Sequence, residues 1–367
     1  MANAVNGLMA NMQARQNFLA SALRSSQTLP VRSFAAGQEL TFELNNAGIL
    51  RYLVVSFAGS LTISGTGTAA PSKKGPWNAL TQVQLNDYSG VTRINASPFM
   101  LHNLINLNKF GFDQSVSPIV QPYAAKVFDF PASLTVGTVP VVFNVLVPVM
   151  YDEDDPRGGL ILTVPNGKCY LKVQCSNSLY GAGDDSLVVG AGYTVALTGN
   201  VTVTQYYFDP AAGPNGQIQL PMMDLSMIHE ILESKSTDNL VAGLDKMTSL
   251  TTGRIYHIVM QQFFNGSAGL DTTDISRITF LYDGNKPTID EHQQAYLDRI
   301  RRVYGRDLPP GIFVFDFRKK PWDSKIWGQL QTRLSMSGAA TVNAGAYLAT
   351  LSKMLYFPNT NLGGVPQ

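Results

Sequence analysis

The sequence predicts an all-β protein: two tandem eight-stranded jelly rolls, preceded by an amphipathic N-terminal helix and with one helix inserted in each block. Three observations carry this. From about Thr28 to Phe208, short apolar runs rich in Val and aromatics alternate with Gly, Pro and Asn, as strands joined by tight turns do. A turn-rich stretch from Asp209 to Gly216 interrupts the pattern, and a second block of the same character continues to about Pro358. Each block holds one segment of helical spacing. The expected organisation is an arm at 1–27, jelly rolls at 28–209 and 217–358, a linker at 210–216 and a tail at 359–367.

The arm carries only two charged side chains, Arg15 and Arg24. Val5, Leu8, Met9, Met12, Leu19 and Leu23 recur at helical intervals and form one stripe, opposite Asn11, Gln13, Gln16 and Ser25. Such a helix packs on its own domain, docks on a neighbouring subunit or lies on a membrane surface. With so few Lys and Arg on its polar face, any lipid contact is expected to be weak and to depend on avidity.

In the first block, Tyr52–Phe57, Val139–Val147 and Tyr193–Leu197 read as strands. Ser97-Pro98 reads as the N-cap and first residue of a helix continued by Leu101, Leu104 and Ile105. Cys169 and Cys175 lie six residues apart on one expected strand, too far for a bridge, so free thiols and a reducing folding compartment are expected. In the second block, strands are expected at Arg254–Phe264, Ile275–Tyr282, Gly311–Phe317, Ser324–Ser337 and Ala344–Phe357. A helix is expected from about Thr288 to Tyr304, lined by Ile289, Gln293, Tyr296, Ile300 and Val303, with Asp290 and Glu291 in its first turn. The segment Leu225–Lys235 reads equally as helix or strand. Arg51–Phe57 and Arg254–Met260 echo each other early in their blocks, consistent with a duplicated sandwich.

The composition narrows function. A length of 367 residues suits two or three domains, and 45% hydrophobic residues can fill their cores. Only 14% of residues are charged, with a net charge of +1, against roughly 25% charged in an average soluble protein. Counterion-driven binding of nucleic acid needs clustered cations, and the densest cluster is Arg318-Lys319-Lys320, so no direct sequence-specific nucleic-acid partner is expected. The low charge suits a surface covered by further copies of the chain. No run of 18 apolar residues reads as a membrane span, and the N-terminus does not read as a signal peptide.

No catalytic constellation, cofactor site or metal site is expected. His102, His229, His257 and His292 do not fall at metal-ligand spacings, and His229-Glu230 lacks the second His of a zinc-protease motif. The acidic run Asp152, Glu153, Asp154, Asp155 leaves a cation open but reads first as a solvated turn. Asp184-Asp185 reads as a loop tip. Gly65-Thr66-Gly67 and Gly190-Ala191-Gly192 lack the third glycine and following helix of a phosphate loop. Trp77, Trp322 and Trp327 read as core or interface before carbohydrate platform.

Several stretches resemble the major capsid proteins of tectiviruses, tailless bacteriophages with an internal membrane. They are Asn11–Gln16, Val147–Tyr151, Gly158–Pro165, Leu171–Gln174, Pro214–Ser226, Arg318–Pro321 and the closing strand Ala346–Tyr356, in family order over nearly the whole chain. The loops diverge, so the outer surface does not carry over. The resemblance implies a non-enzymatic double-jelly-roll coat protein, folded in the host cytoplasm and located in the virion shell. It implies a homotrimer forming a pseudo-hexagonal capsomer that meets neighbouring capsomers and penton and minor capsid proteins. The arm, through Val5, Leu8, Met9, Met12, Arg15, Leu19 and Leu23, would face the internal viral membrane or a neighbouring subunit. The competing reading is a two-domain β-sandwich glycan-active enzyme or lectin, which would show a cleft with convergent acids and exposed Trp.

Overall fold

The computed structural model describes residues 13, 16–107, 129–152, 157–164, 167–209, 227–283, 285–305 and 307–356. In the first half the strands are β1 (Leu23–Thr28), β2 (Arg32–Ser33), β3 (Glu39–Glu43), β4 (Ile49–Pro71), β5 (Leu80–Asn86), β6 (Thr92–Ala96), β7 (Gly137–Pro148), β8 (Leu160–Ile161), β9 (Tyr170–Cys175), β10 (Tyr180–Gly181) and β11 (Val188–Asp209). Helix α1 (Pro98–Asn106) lies between β6 and β7. The second half contains β12 (Ile228–Ser236), β13 (Asp245–Ser249), β14 (Ile255–Phe264), β15 (Ile275–Tyr282), β16 (Lys286–His292), β17 (Ile312–Asp316), β18 (Trp322–Asp323), β19 (Gln331–Met336) and β20 (Tyr347–Tyr356), with helix α2 (Gln293–Tyr304) between β16 and β17.

The two halves share one wiring diagram. In the first, strands pair in the orders β1-β11-β4-β7 and β3-β9-β5-β6; in the second, β12-β20-β14-β17 and β13-β19-β15-β16. Setting aside the two-residue strands β2, β8, β10 and β18, both halves place their strands in the same spatial order, with the helix after the fifth. This is the jelly-roll arrangement, made twice. The echo between Arg51–Phe57 and Arg254–Met260 falls at equivalent places, in β4 and at the start of β14, the third main strand of each half.

The sheets do not stay separate. Strand β12 pairs in parallel with β6 through Ile231↔Ile94 and Leu232↔Asn95, joining one sheet of each half into a single nine-stranded sheet. Apolar alternation packs each sandwich: Leu53, Val55 and Phe57 of β4 point inward, and Phe57 stacks on Phe143 at 5.3 Å. Strands β14 and β20 are buried on both faces. Gln261 of β14 faces its own sandwich, donating to Thr332 Oγ1 at 2.7 Å, while His257 faces the first half, at Tyr151.

Four expectations change. Leu23, placed on the helical stripe, is the first residue of β1 and is 67% exposed; helical backbone ends at residue 21, and 23–28 pair antiparallel with β11. The expected helix at Thr288–Tyr304 begins only at Gln293, because Lys286–His292 forms β16 against β15. Asp290 and Glu291 are therefore strand residues; β-branched Thr288 and Ile289 suit that conformation, and the helical interval from Ile289 to Tyr296 is coincidental. Tyr296, Ile300 and Tyr304 are the buried side of α2, whereas Val303 is half exposed. The run Ser324–Ser337 is strand only over Gln331–Met336, and the ambiguous segment Leu225–Lys235 is strand from Ile228. Val5, Leu8, Met9, Met12 and Arg15, the linker and the tail lie outside the described residues.

Candidate functional site

No group of three or more His, Cys, Asp or Glu among the described residues is placed to hold a metal. Cys169 and Cys175 are buried free thiols, and burial pushes the Cys169 thiol up to about 11, far from a reactive thiolate. Trp77 is buried and stacks on His102 at 3.7 Å, while Trp322 and Trp327 pack together at 5.1 Å beside Tyr282. The two Gly-x-Gly patterns have a different use. They lie opposite each other in the long β4–β11 ladder, where a Cβ on Gly67 would come within 2.7 Å of the Ala191 carbonyl carbon. Glycine there lets the two backbones approach closely.

The polar side chains that sequence left unassigned gather instead along the seam between the sandwiches. At the end where β4 finishes and β11 begins, Asp184 bridges the halves. Its Oδ1 accepts from the Lys73 backbone N–H at 2.8 Å, and its Oδ2 accepts from the Leu270 N–H at 3.1 Å. Asp184 is buried at 6% exposure, and Lys73 Nζ reaches the Leu270 carbonyl at 3.2 Å. Beside it, Lys74 forms an ion pair with Asp185, and Tyr347 of β20 donates to the same carboxylate at 2.7 Å. The Lys74 ammonium also lies 4.3 Å from the Phe264 ring centre. Burial pulls the Lys74 ammonium below its ordinary range, opposed by Asp185. Asp184 and Asp185 are thus a clamp rather than a loop tip. Midway, Glu233 of β12 accepts from the Ser97 N–H and hydroxyl at 2.6 and 2.7 Å; Ser97, the expected cap of α1, spends its side chain on the seam.

At the opposite end, where β4 begins and β11 finishes, a second cluster crosses the seam. His229 Nδ1 lies 3.0 Å from the Val149 carbonyl, Tyr151 OH lies 2.8 Å from His257 Nδ1, and Lys353 Nζ donates to the Tyr151 carbonyl at 2.7 Å. Gly158 packs directly on His229, and Glu230 pairs with Arg254 at 2.9 Å. This end, the base, gathers the chain's entries and exits: β11 ends there, β12 starts there, and Tyr356 at the close of β20 pairs with Ile228. The N-terminal segment docks there too. Phe18 packs edge-on against Phe208 at 5.3 Å within a cluster with Ile49 and Met150, and half-buried Leu19 packs against it. Asp152 of the acidic run is at the base; 153–155 lie outside the described residues.

The base cluster is acid-sensitive. Burial, reinforced by Lys353, holds the His229 imidazole well below its ordinary value of 6.5. The unfolded chain therefore binds a proton below that value that the folded chain refuses, and stability falls as pH drops below 6.5, by up to about 1.4 kcal/mol per pH unit. Burial raises the Glu230 carboxyl, which has the opposite sign: its contribution is full below the ordinary carboxylate value and is lost as pH rises through the raised one. Comparing wild type with His229→Gln isolates the imidazole. Chemical denaturation between pH 7 and 5 should show a shallower loss in the variant.

Comparison with known proteins places this geometry. The model of the P3 major capsid protein N-terminal family matches residues 6–214, and that of the C-terminal family matches residues 226–362. The chain is 27% identical over 332 residues to "Major capsid protein P3" of Enterobacteria phage PRD1, covering 86% of this chain and 83% of that protein. Among solved structures, that of Sulfolobus Turreted Icosahedral Virus aligns with a TM-score of 0.67 at 17% identity, over 91% of each chain. Major capsid protein P2 from Bacteriophage PM2 aligns with a TM-score of 0.50 at 12% identity, over 92% of this chain and 99% of that one. These neighbours share the double jelly roll.

Proposed function

The chain belongs to the P3 major capsid protein family, and from that premise we propose how it builds the shell of its virion. It is a major capsid protein with a structural role, as its relatives are, and not an enzyme. The proposed assembly is a homotrimer. The observation that carries it is the doubled wiring: three chains, each holding two sandwiches of identical strand order, present six similar units around a threefold axis. Such a tile fills a pseudo-hexagonal position and meets neighbouring capsomers, with penton and minor capsid proteins closing the remaining positions. The low charge, 14% of residues, suits extensive coverage by copies. Light scattering of the purified protein at micromolar concentration should return three times the chain mass of 39.9 kDa; a stable monomer would rule the trimer out.

The base is proposed to face inward, with the arm leaving from it toward the internal membrane or an adjoining tile. The support is the docking of Phe18 and Leu19 at the base, which puts the point where the arm joins the first sandwich at that end. Val5, Leu8, Met9, Met12 and Arg15 would make the outward contacts, whereas Leu23 belongs to β1 and Leu19 partly to the docking cluster. Folding in the host cytoplasm is consistent with the two free thiols. Deleting residues 1–15, which spares β1, should leave soluble capsomers but lower both particle yield and co-flotation with vesicles. Unchanged yield and flotation would sink this role for the arm.

A further inference from the structure

The densest basic cluster of the sequence, Arg318-Lys319-Lys320, leads into an exposed apolar turn at the base of the second sandwich. Both segments spring from the start of β14. The Phe317 N–H donates to the His257 carbonyl at 2.8 Å, and Trp322 and Asp323 pair with Tyr256 and Ile255. In the turn between β18 and β19, Trp327 is 39% exposed and Ile326 is 72% exposed, more than any other large apolar side chain among the described residues. The turn holds these side chains in place. The N–H groups of Ile326 and Trp327 donate to the Asp323 carbonyl at 3.1 and 3.0 Å, and the Trp327 carbonyl accepts from the Asp283 N–H at 3.2 Å. The Trp327 ring leans edge-on against Tyr282 at 5.7 Å.

Lys319 and Lys320 precede the turn and Lys325 lies within it; all three are exposed and form no ion pair among the described residues. The acids of these loops are already engaged. Asp316 pairs with Arg318, Asp283 pairs with Lys286, and Asp323 Oδ1 accepts from the Lys325 N–H at 2.8 Å. An exposed Ile and Trp beside uncompensated lysines match a membrane–water boundary, where indole rings sit at headgroup level and lysines meet anionic lipid. A second copy of the chain fits less well, because protein interfaces are depleted in Lys. We propose that this turn is a lipid contact: Ile326 and Trp327 enter the headgroup region of a bilayer, and Lys319, Lys320 and Lys325 bind its anionic phosphates. The proposal rests on the inward-facing base argued above and gives the membrane a second contact besides the arm, made by a folded domain. One turn buries little apolar surface, so binding is weak per chain and gains strength from copies held side by side.

Flotation of the full-length protein with phosphatidylcholine vesicles, with and without phosphatidylglycerol, tests this when combined with tryptophan quenching by lipids brominated near the headgroup. The expected result is binding that requires the anionic lipid and quenches the tryptophan emission. Trp327→Phe should remove most of the quenching, since Trp77 is buried. Replacing Lys319, Lys320 and Lys325 together with Gln should weaken binding about a hundredfold, roughly fivefold per lysine. Ile326→Ser, at an exposed position where folding is not at stake, should weaken it about tenfold. Vesicle binding with unquenched tryptophan would overturn the role of the turn and leave that of the arm intact. Quenching that persists after deletion of residues 1–15 would uphold the turn even if the arm proves idle. Absence of binding to anionic vesicles would sink the proposal. So would an Ile326→Ser variant that breaks up the oligomer in light scattering while flotation is unchanged, which would mark a contact between copies.

Discussion

Replacing Asp184 with alanine should destabilise the protein by about 3 kcal/mol or more, the largest effect expected of any single polar substitution here. The carboxylate accepts from the Lys73 and Leu270 backbone N–H groups, one on each side of the seam. Alanine leaves both donors without that acceptor, and the Leu270 end is fully enclosed. Each unsatisfied buried N–H costs about 1–3 kcal/mol, and the link between Lys73 and Leu270 weakens further. Asp184→Asn should recover part of the loss, since one amide oxygen can still accept while the amide nitrogen cannot. Urea denaturation of the three proteins checks this, and an alanine variant within about 1 kcal/mol of wild type would show that the seam does not rely on this residue.

Gly158→Val should prevent the halves from docking correctly at the base. Gly158 has φ of 76°, a left-handed conformation that β-branched residues rarely adopt. A Cβ there would also overlap His229 Cβ and lie 2.9 Å from the His229 backbone nitrogen. The backbone of β12 cannot yield without disturbing its ladder with β20, so both strain and overlap are absorbed by opening the seam. Reduced soluble yield, or folded protein with increased proteolysis between residues 209 and 227, is the expected outcome. Gly90→Val is the control: its φ of 78° carries similar strain, but no neighbour lies within 4 Å of its Cβ, so the seam should stay closed.

The strands were legible because their chemistry is local: Val and aromatic runs bounded by turn formers specify extended segments, and Ile275–Tyr282 agrees residue for residue. The Arg51 and Arg254 echo was faint in residues yet falls at equivalent strands. The length of β4 and β11, 23 and 22 residues, was hidden because Gly65, Gly67, Gly190 and Gly192 look like turn signals when seen singly. Only when paired across the ladder do they read as close contact. The start of α2 was obscured because Ile289 satisfies both periods. The clamp was invisible for a different reason: Asp184 meets Leu270 across 86 residues and Asp185 meets Tyr347 across 162, and two adjacent acids beside glycines carry no local mark of such partners. The scarcity of charge is the one signal that bears on it. In a chain that spends so few residues on charge, two acids side by side in a Gly-rich loop are candidates for a buried pairing as well as for a solvated turn.

The seam is fastened at three heights: the Asp184 clamp, the β6–β12 ladder and the base cluster. A joint pinned at both ends and stitched at its middle has no hinge axis. Torque applied to one lobe is delivered to the other, and the subunit tilts as a single stiff plate. The bend needed to close a polyhedral surface would then be taken up at the edges where plates abut, leaving each plate flat.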